Sequence, residues 1–388
     1  MPLTGLRIVD LTRILAGPLS TMMLGDMGAD VVKIERPGSG DDARGWGPPF
    51  VDGVSTYFLS VNRNKRSVTL DLQTNAGKEL LWELVESADV LVSNFRVGLM
   101  DEIGFSFERV AARAPRCVYA LINGYGAAGE RAAKTSFDLV IQAESGLMDL
   151  TGFPDGEPTK VGISIADEIA GLYLVQGILL ALLSRQRTQR GQLVEVALHD
   201  ALLSMFTFQA QGYLSAGVAP GRMGNLHPSI VPYETFAAAD GVVVVGVANE
   251  SIWKRFCATL GAQHLHGDEA FATNADRVVH RERLRVELEP FFRRHSVAFW
   301  EEHLSAAGVP CGRVRALQQV LDDERGAGRD MVVAVDGMEV LGVPVKLSAS
   351  PGAVRSAAPR LGQHTEAILC ELGHTEDQIA AWRAAGVI

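Results

Sequence analysis

The chain is poor in cysteine, and none of it is placed to work together. Cys117, Cys257, Cys311 and Cys370 are scattered over 388 residues and form no C-x-x-C pair. Such spacing signals neither a disulfide scaffold nor a thiolate zinc site. Scattered thiols fit a reducing compartment, and the cytoplasm is the expected location. Positive charge is also in deficit. A formal net charge of −10 disfavours nucleic acid as the main partner, so an anionic ligand needs a local basic pocket. The N-terminus, MPLTGLRIVDLT, lacks the charged and apolar regions of a signal peptide. The most apolar run, Glu168–Leu183, falls short of the roughly 20 residues that span a bilayer. It also carries Glu168 and Gln176, so no membrane partner is expected. Low-complexity segments are missing, which leaves a folded globular chain.

What is present is apolar and glycine-rich: 47% hydrophobic residues and 40 glycines, many beside apolar runs as in βα turns. The length suggests about two domains. Strand patterns occur at Leu6–Leu11, Asp30–Ile34, Ser67–Leu72, Asp89–Val92, Arg116–Ile122 and Gln192–Leu198, with helical patterns between them. This alternation predicts an α/β domain with a mainly parallel sheet. Ligands on such sheets bind beyond the carboxyl ends of the strands, which here supply Leu15, Ala16, Arg36, Asn94, Phe95, Arg96, Gly124 and Tyr125. The glycine- and proline-rich segment at 37–53 is too long for a plain connector and reads as a structured surface loop. The basic stretch Asn62–Arg66 reads either as functional or as a solvated charged turn.

Three common nucleotide and hydrolase motifs fail on inspection. The first βα turn carries Ala-Gly-Pro at 16–18 rather than G-x-G-x-x-G, although Glu35 stands where a ribose-binding acid would lie. Gly129–Thr135 approximates a phosphate loop but has Ala133 before its lysine. Ser145 lacks the leading glycine of a nucleophile elbow. His264 and His266 have no carboxylate pattern to complete a metal site, and no metal is expected.

The stretch Val161–Gln192 organises the chain. A short glycine-bearing lead-in delivers Asp167 to the head of an apolar helix that ends in Arg185, Arg187 and Arg190. A carboxylate there meets converging backbone N–H groups and a favourable macrodipole. Ser164 and Asp167 also have the S-x-x-D spacing of a capping pair, which would make Asp167 a helix-start residue without chemistry.

These segments form a set. PLTGLRIVDLTRILAGPLSTMMLGDMGADVVKIERPGSGDDAR, NRNKRSVTLDL, DVLVSNFRVG, the Val161–Gln192 stretch and GNLHPSIVPYETFAAADG occur in order over nearly the whole length. In them the chain resembles the class III CoA-transferases, the family of formyl-CoA:oxalate, carnitine-CoA and succinyl-CoA:dicarboxylate enzymes. The resemblance implies a large Rossmann-like domain, a small α+β domain and an interlocked homodimer. On that basis residues 1–200 begin the large domain, 201–225 form a linker, 226–325 form the small domain, and 326–388 return to the large one.

The family's nucleophile is an aspartate at the position of Asp167. The resemblance therefore implies covalent transfer of CoA from an acyl-CoA to a small carboxylic or dicarboxylic acid. At an ordinary pKa of about 3.9, the aspartate is expected to be ionised at neutral pH without a general base. By position, CoA contacts fall to Leu15, Ala16, Arg36, Leu70, Asp71, Leu72, Gln73, Asn94, Phe95, Arg96, Lys134, Thr135, Ser136 and Phe137. Arg36, Arg96 and Lys134 would supply the local positive charge for the phosphates. There are departures. Leu15 stands where formyl-CoA transferase has glutamine, and the glycine run of that enzyme is missing from GVVVVGVANES. Both argue against formyl/oxalate exchange. The racemase branch has a histidine before an aspartate, where this chain reads Ser136–Phe137–Asp138. An α-methylacyl-CoA racemase and a catalytically idle CoA-binding protein are the alternatives.

Overall fold

A computed structural model describes residues 1–388. Two compact units emerge: Met1–Gly146, Val161–Ala216 and Glu324–Ile388 form the first, and Leu147–Lys160 with Gly217–Asp323 form the second.

The first unit is built on six strands: β1 (Arg7–Asp10), β2 (Asp30–Glu35), β3 (Lys65–Thr69), β4 (Val90–Ser93), β5 (Val118–Asn123) and β6 (Leu193–Ala197). All pair in parallel, in the order β3-β2-β1-β4-β5-β6. Val9 sits between Val32 and Leu91 across the ladder. The central strands are apolar on both faces because helices cover both, as a parallel sheet requires. The helices between them are α1 (Ala16–Asp26), α2 (Asn75–Glu86), α3 (Phe107–Arg113), α4 (Asp138–Glu144) and α5 (Ile165–Thr188). One core cluster joins Val9, Val32, Leu80, Leu84, Leu91 and Tyr119 to Ile368, Leu369, Ile379 and Val387 from the end of the chain. Winding reverses at β1, which has β2 on one side and β4 on the other. This is where a doubly wound sheet opens a crevice.

Helix α5 is 24 residues long, and by length and composition alone it could cross a membrane. One face is buried in the unit through Ala166, Ala170, Leu174, Ile178, Ala181 and Leu182. The opposite face leaves Leu172, Leu179, Leu180 and Leu183 exposed. Of the terminal basic cluster, Arg185 turns inward to pair with Asp89 at 2.8 Å.

One expectation needs correction. The basic stretch Asn62–Lys65 is not a solvated turn: all four residues are buried. Arg63 pairs with Asp26 at 2.7 Å and Lys65 with Asp10 at 3.0 Å. The strand begins at Lys65 rather than Ser67. The chain after β6 is helical, as α6 (Leu198–Leu203) and α7 (Thr207–Ala216), joined by a short 3-10 turn.

In the second unit, strands Tyr233–Ala237, Val242–Gly246 and Cys311–Arg313 form an antiparallel sheet with Val242–Gly246 in the middle. Cys311–Arg313 was not foreseen. Phe236 stacks on Phe292 at 4.3 Å between ring centroids, over a core that includes Trp253, Phe256, Leu288 and Leu304.

Candidate active site

Helix α5 carries Asp167 in its first turn. Ser164 occupies the N-cap position but makes no side-chain cap bond. The cap comes instead from α4, where Asp138 Oδ1 accepts from Ala166 N–H at 2.9 Å and Oδ2 accepts from Gln142 at 2.7 Å. With the capping role taken by Asp138, the carboxylate of Asp167 is free for other work.

Asp167 is half-buried, and no opposite charge offsets that burial. Burial, then the carboxylates of Asp138 and Glu168, push its pKa up to about 7. This corrects the expectation of an ordinary aspartate: the group holds its proton to higher pH than an exposed carboxyl does. Glu168 is raised as well, by burial and by Asp138. Tyr57 lies close enough that Asp167 is the leading charge acting on it; burial and that carboxylate push the phenol up to about 12. Trp46 packs edge-on to Tyr57 at 5.4 Å and lies 6.5 Å from the ring of Phe137. Phe137 is 61% exposed, so an aromatic wall stands open beside the acidic group.

Gly171 brings α1 against the same face of α5, one turn beyond Asp167. A Cβ on Gly171 would lie 2.9 Å from the Ala16 carbonyl. Ser20 Oγ donates to Ala16 O and Gly171 O, at 2.8 and 3.0 Å. The close approach of the two helices therefore requires glycine. The start of α1 has no side-chain cap; Pro18 carries no N–H and Leu19 N–H donates to Leu15 O at 2.8 Å, which leaves the N–H groups of Ala16 and Gly17 available.

Beyond the carboxyl ends of β1 to β4 lies a cleft of about 230 Å³. Of the expected CoA contacts it gathers Arg36, Leu70, Asp71, Leu72, Gln73 and Phe95. Leu11, Ile34, Leu99 and Ile103 make its floor apolar, and Arg13 and Lys33 also line it. Arg13 and Arg36 pair with the same carboxylate, Asp42, at 3.1 and 2.9 Å, so two guanidinium groups share one partner at the rim, with the carboxylate of Asp71 also lining the cleft.

The remaining expected contacts are placed elsewhere. Leu15 packs with Met22 and Val61 in a small apolar cluster beside Tyr57, and Ala16 lies in the α1–α5 contact. Asn94 is occupied by the backbone of Arg13, accepting from its N–H at 2.9 Å and donating to its carbonyl at 2.7 Å. Arg96 pairs with Glu102 at 2.5 and 2.8 Å and lines a neighbouring cleft that shares Phe95. Lys134 is exposed and pairs with Glu144, which also accepts from Tyr125 Oη at 2.6 Å. Thr135 is exposed, and Ser136 crowds Gly124 so closely that no side chain fits there. Sequence reasoning missed Trp46, Tyr57 and Glu168 beside Asp167, and Arg13 at the cleft. The tryptophan sat in the loop already marked as structured, but no spacing rule joins it to residue 167. Among the described residues no group of three His, Cys, Asp or Glu side chains is placed to hold a metal ion.

Comparison with known proteins identifies the family. The model of CoA-transferase family III matches residues 3–365. The chain is 36% identical over 386 residues to a succinate–glutarate CoA-transferase of Agrobacterium fabrum, covering 96% of each chain. It is 37% identical over 377 residues to an acetyl-CoA:oxalate CoA-transferase of Acetobacter aceti, covering 97% of each. Identity alone thus does not separate the acids. Among solved structures, a CaiB/BaiF family protein from Brucella suis superposes with a TM-score of 0.86 at 40% identity, covering 96% of this chain and 99% of that one. The chain belongs to CoA-transferase family III and is an enzyme of CoA transfer.

Proposed function

We propose that this enzyme moves CoA from succinyl-CoA, or a similar short acyl-CoA, to a small dicarboxylate, with Asp167 as nucleophile. One observation carries the reading: a half-buried carboxylate at a helix head, beside an open aromatic wall, with no cation to neutralise it. The buried carboxylates Asp10, Asp26 and Asp41 are each paired with a cation; this one is held among like charges.

The ionised Asp167 attacks the thioester carbonyl of the donor. The C–S bond breaks, CoA leaves as thiolate, and an aspartyl–acyl anhydride forms. The thiolate then attacks the aspartyl carbonyl, the donor acid leaves as carboxylate, and an aspartyl–CoA thioester remains. The acceptor carboxylate attacks that thioester and releases the thiolate again. Attack of the thiolate on the acceptor's acyl carbon gives the new acyl-CoA and restores the Asp167 carboxylate. The oxyanions along this path need aimed backbone donors, for which the uncapped start of α1 is suited. Low dielectric around Asp167 favours the neutral anhydride and thioester over the starting carboxylate. Arg13 and Arg36 at the cleft, with Leu70–Gln73 and Phe95, support binding of the nucleotide end of CoA there.

A homodimer is part of the same proposal. Leu172, Leu179, Leu180 and Leu183 on α5, with Leu203, Met205, Phe208, Tyr213 and Leu214 further along the chain, are all exposed, and a run of exposed large apolar side chains is the kind of surface a partner covers. A second copy of the chain is the proposed cover. Four free thiols support a reducing, cytoplasmic setting.

The test is chemical trapping. Incubation with succinyl-CoA followed by hydroxylamine or borohydride is expected to modify Asp167; label on any other residue rejects the mechanism. Deuterium wash-in at the α-carbon without an acceptor acid would favour the racemase reading. That reading lacks its histidine, since Phe137 precedes Asp138.

A further inference from the structure

Ile14 is in the left-handed region, with φ +75°. For a β-branched residue this is a genuine outlier, and it persists only where the surroundings impose it. The connection from β1 to α1 is tethered residue by residue from three different strand ends. Thr12 donates to Asp10 through its N–H at 2.8 Å and its hydroxyl at 2.5 Å, and its carbonyl accepts from Lys33 Nζ at 2.8 Å. Arg13 is clasped by Asn94. Ile14 N–H donates to both oxygens of Asp41, at 3.1 and 3.3 Å. Asp41 is in turn buried against Lys33 Nζ at 2.9 Å, with both side chains fully inaccessible. Its own N–H is fixed by Glu35 at 3.0 Å.

We propose that Asp41 is a positioning residue: with Lys33 behind it, it holds Ile14 in its strained conformation and so fixes the first turn of α1 beside Asp167. This rests on the reading of Asp167 as nucleophile. An ion pair in the core is a weak source of net stability. A pair aimed at one strained N–H, two residues before the helix that abuts the α5 face of Asp167, has a local purpose. Without the tether, Ile14 relaxes to negative φ and the uncapped N–H groups at the start of α1 move with it. Glycine populates positive φ about as readily as negative. A glycine at position 14 therefore needs the tether much less than isoleucine does.

That difference supplies the test. Steady-state kinetics would use succinyl-CoA with glutarate as probes, and binding of free CoA would be measured by calorimetry. Asp41→Asn is expected to lower kcat about tenfold or more, the population penalty of an untethered left-handed residue, with CoA affinity within about threefold. Ile14→Gly alone should change kcat less than about threefold, because Asp41 still holds the loop. Ile14→Gly in the Asp41→Asn background should recover about fivefold of the lost kcat. No recovery there means that Asp41 matters only for general stability, and overturns the proposal; so does an Asp41→Asn enzyme with wild-type kcat. If Asp41→Asn does not fold, Lys33→Met/Asp41→Leu removes the tether without leaving an unpaired charge, and the same rescue is read there. Turnover that survives Asp167→Ala would refute the nucleophile reading. A wild type that needs Asp167, paired with a failed rescue, refutes only the role of Asp41.

Discussion

Asp10 and Asp167 are both taken out of water in the same unit, and the fold treats them in opposite ways. Burial alone would push the Asp10 carboxyl up, but Lys65, Lys33 and the hydroxyls of Thr12 and Thr21 outweigh it and hold the group below its usual range. Asp41 follows the same pattern: burial raises it, while Lys33 and the N–H groups of Ala43 and Ile14 bring it down. Around Asp167 burial acts in the same direction, but its neighbours are Asp138 and Glu168, so nothing reverses it. The difference lies in the partners. Asp10 and Asp41 are neutralised by lysines within hydrogen-bond distance, whereas Asp167 is left among like charges, the kind of environment that tunes groups whose charge changes in function.

This contrast predicts different failures for the two groups. Asp167→Ala should lower turnover by about a thousandfold or more while leaving CoA affinity within about threefold, as expected for a group used only in bond making. A variant that keeps a tenth of its activity would place Asp167 with the structural carboxylates and erase the distinction. Asp10→Asn should do the reverse. It strands Lys65 without its partner, and breaking a buried pair from one side costs about 3–5 kcal/mol. Chemical denaturation would read that loss as a lower midpoint. A midpoint within experimental error of wild type would show that Asp10 is not holding the β1–α1 connection.

The same contrast explains what was legible in the chain itself. The parallel sheet was readable because Val9, Val32, Leu91 and Tyr119 sit in apolar runs separated by helical periods, and that pattern is local. Asp167 was found through the order of motifs around it, since its S-x-x-D spacing with Ser164 pointed to a cap. The structure gives that cap to Asp138, some 28 residues earlier. The burial of Lys33 and Lys65 was not legible. Lysines normally read as surface residues, and their partners Asp41 and Asp10 lie 8 and 55 positions away. The cleft was read in part: Arg36, Leu70–Gln73 and Phe95 line it, but Asn94 spends its side chain on Arg13, and Arg96 and Lys134 are paired elsewhere. Position along a strand end tells which residues reach the crevice, not which are already engaged.

Smaller effects sharpen the comparison through pH. The folded-state pKa of Asp167, about 7, lies above its ordinary 3.8. The folded chain therefore binds that proton more tightly than the unfolded chain, and the resulting stability is present below about pH 4 and lost as pH rises through 7. Asp167→Asn should then be more stable than wild type at pH 8, by about 1–2 kcal/mol once solvent access to the group is allowed for. The gap should close toward pH 4. An equal gap at both pH values would assign the gain to packing rather than to charge.

The smallest expected effect isolates one neighbour. In kcat/KM the acid limb should fall near pH 7, reporting ionisation of Asp167 in the free enzyme. Asp138→Asn keeps an oxygen to accept from Ala166 N–H, so the cap on α5 survives, but it removes the like charge that acts most strongly on Asp167. The limb should move to lower pH by about half a unit to one unit, with little change in the plateau. The direction of that movement is decisive. A downward shift means that the fold holds its nucleophile partly protonated by crowding carboxylates together. A fixed limb means that burial and Glu168 set the value, and that Asp138 is present for the helix and not for the chemistry.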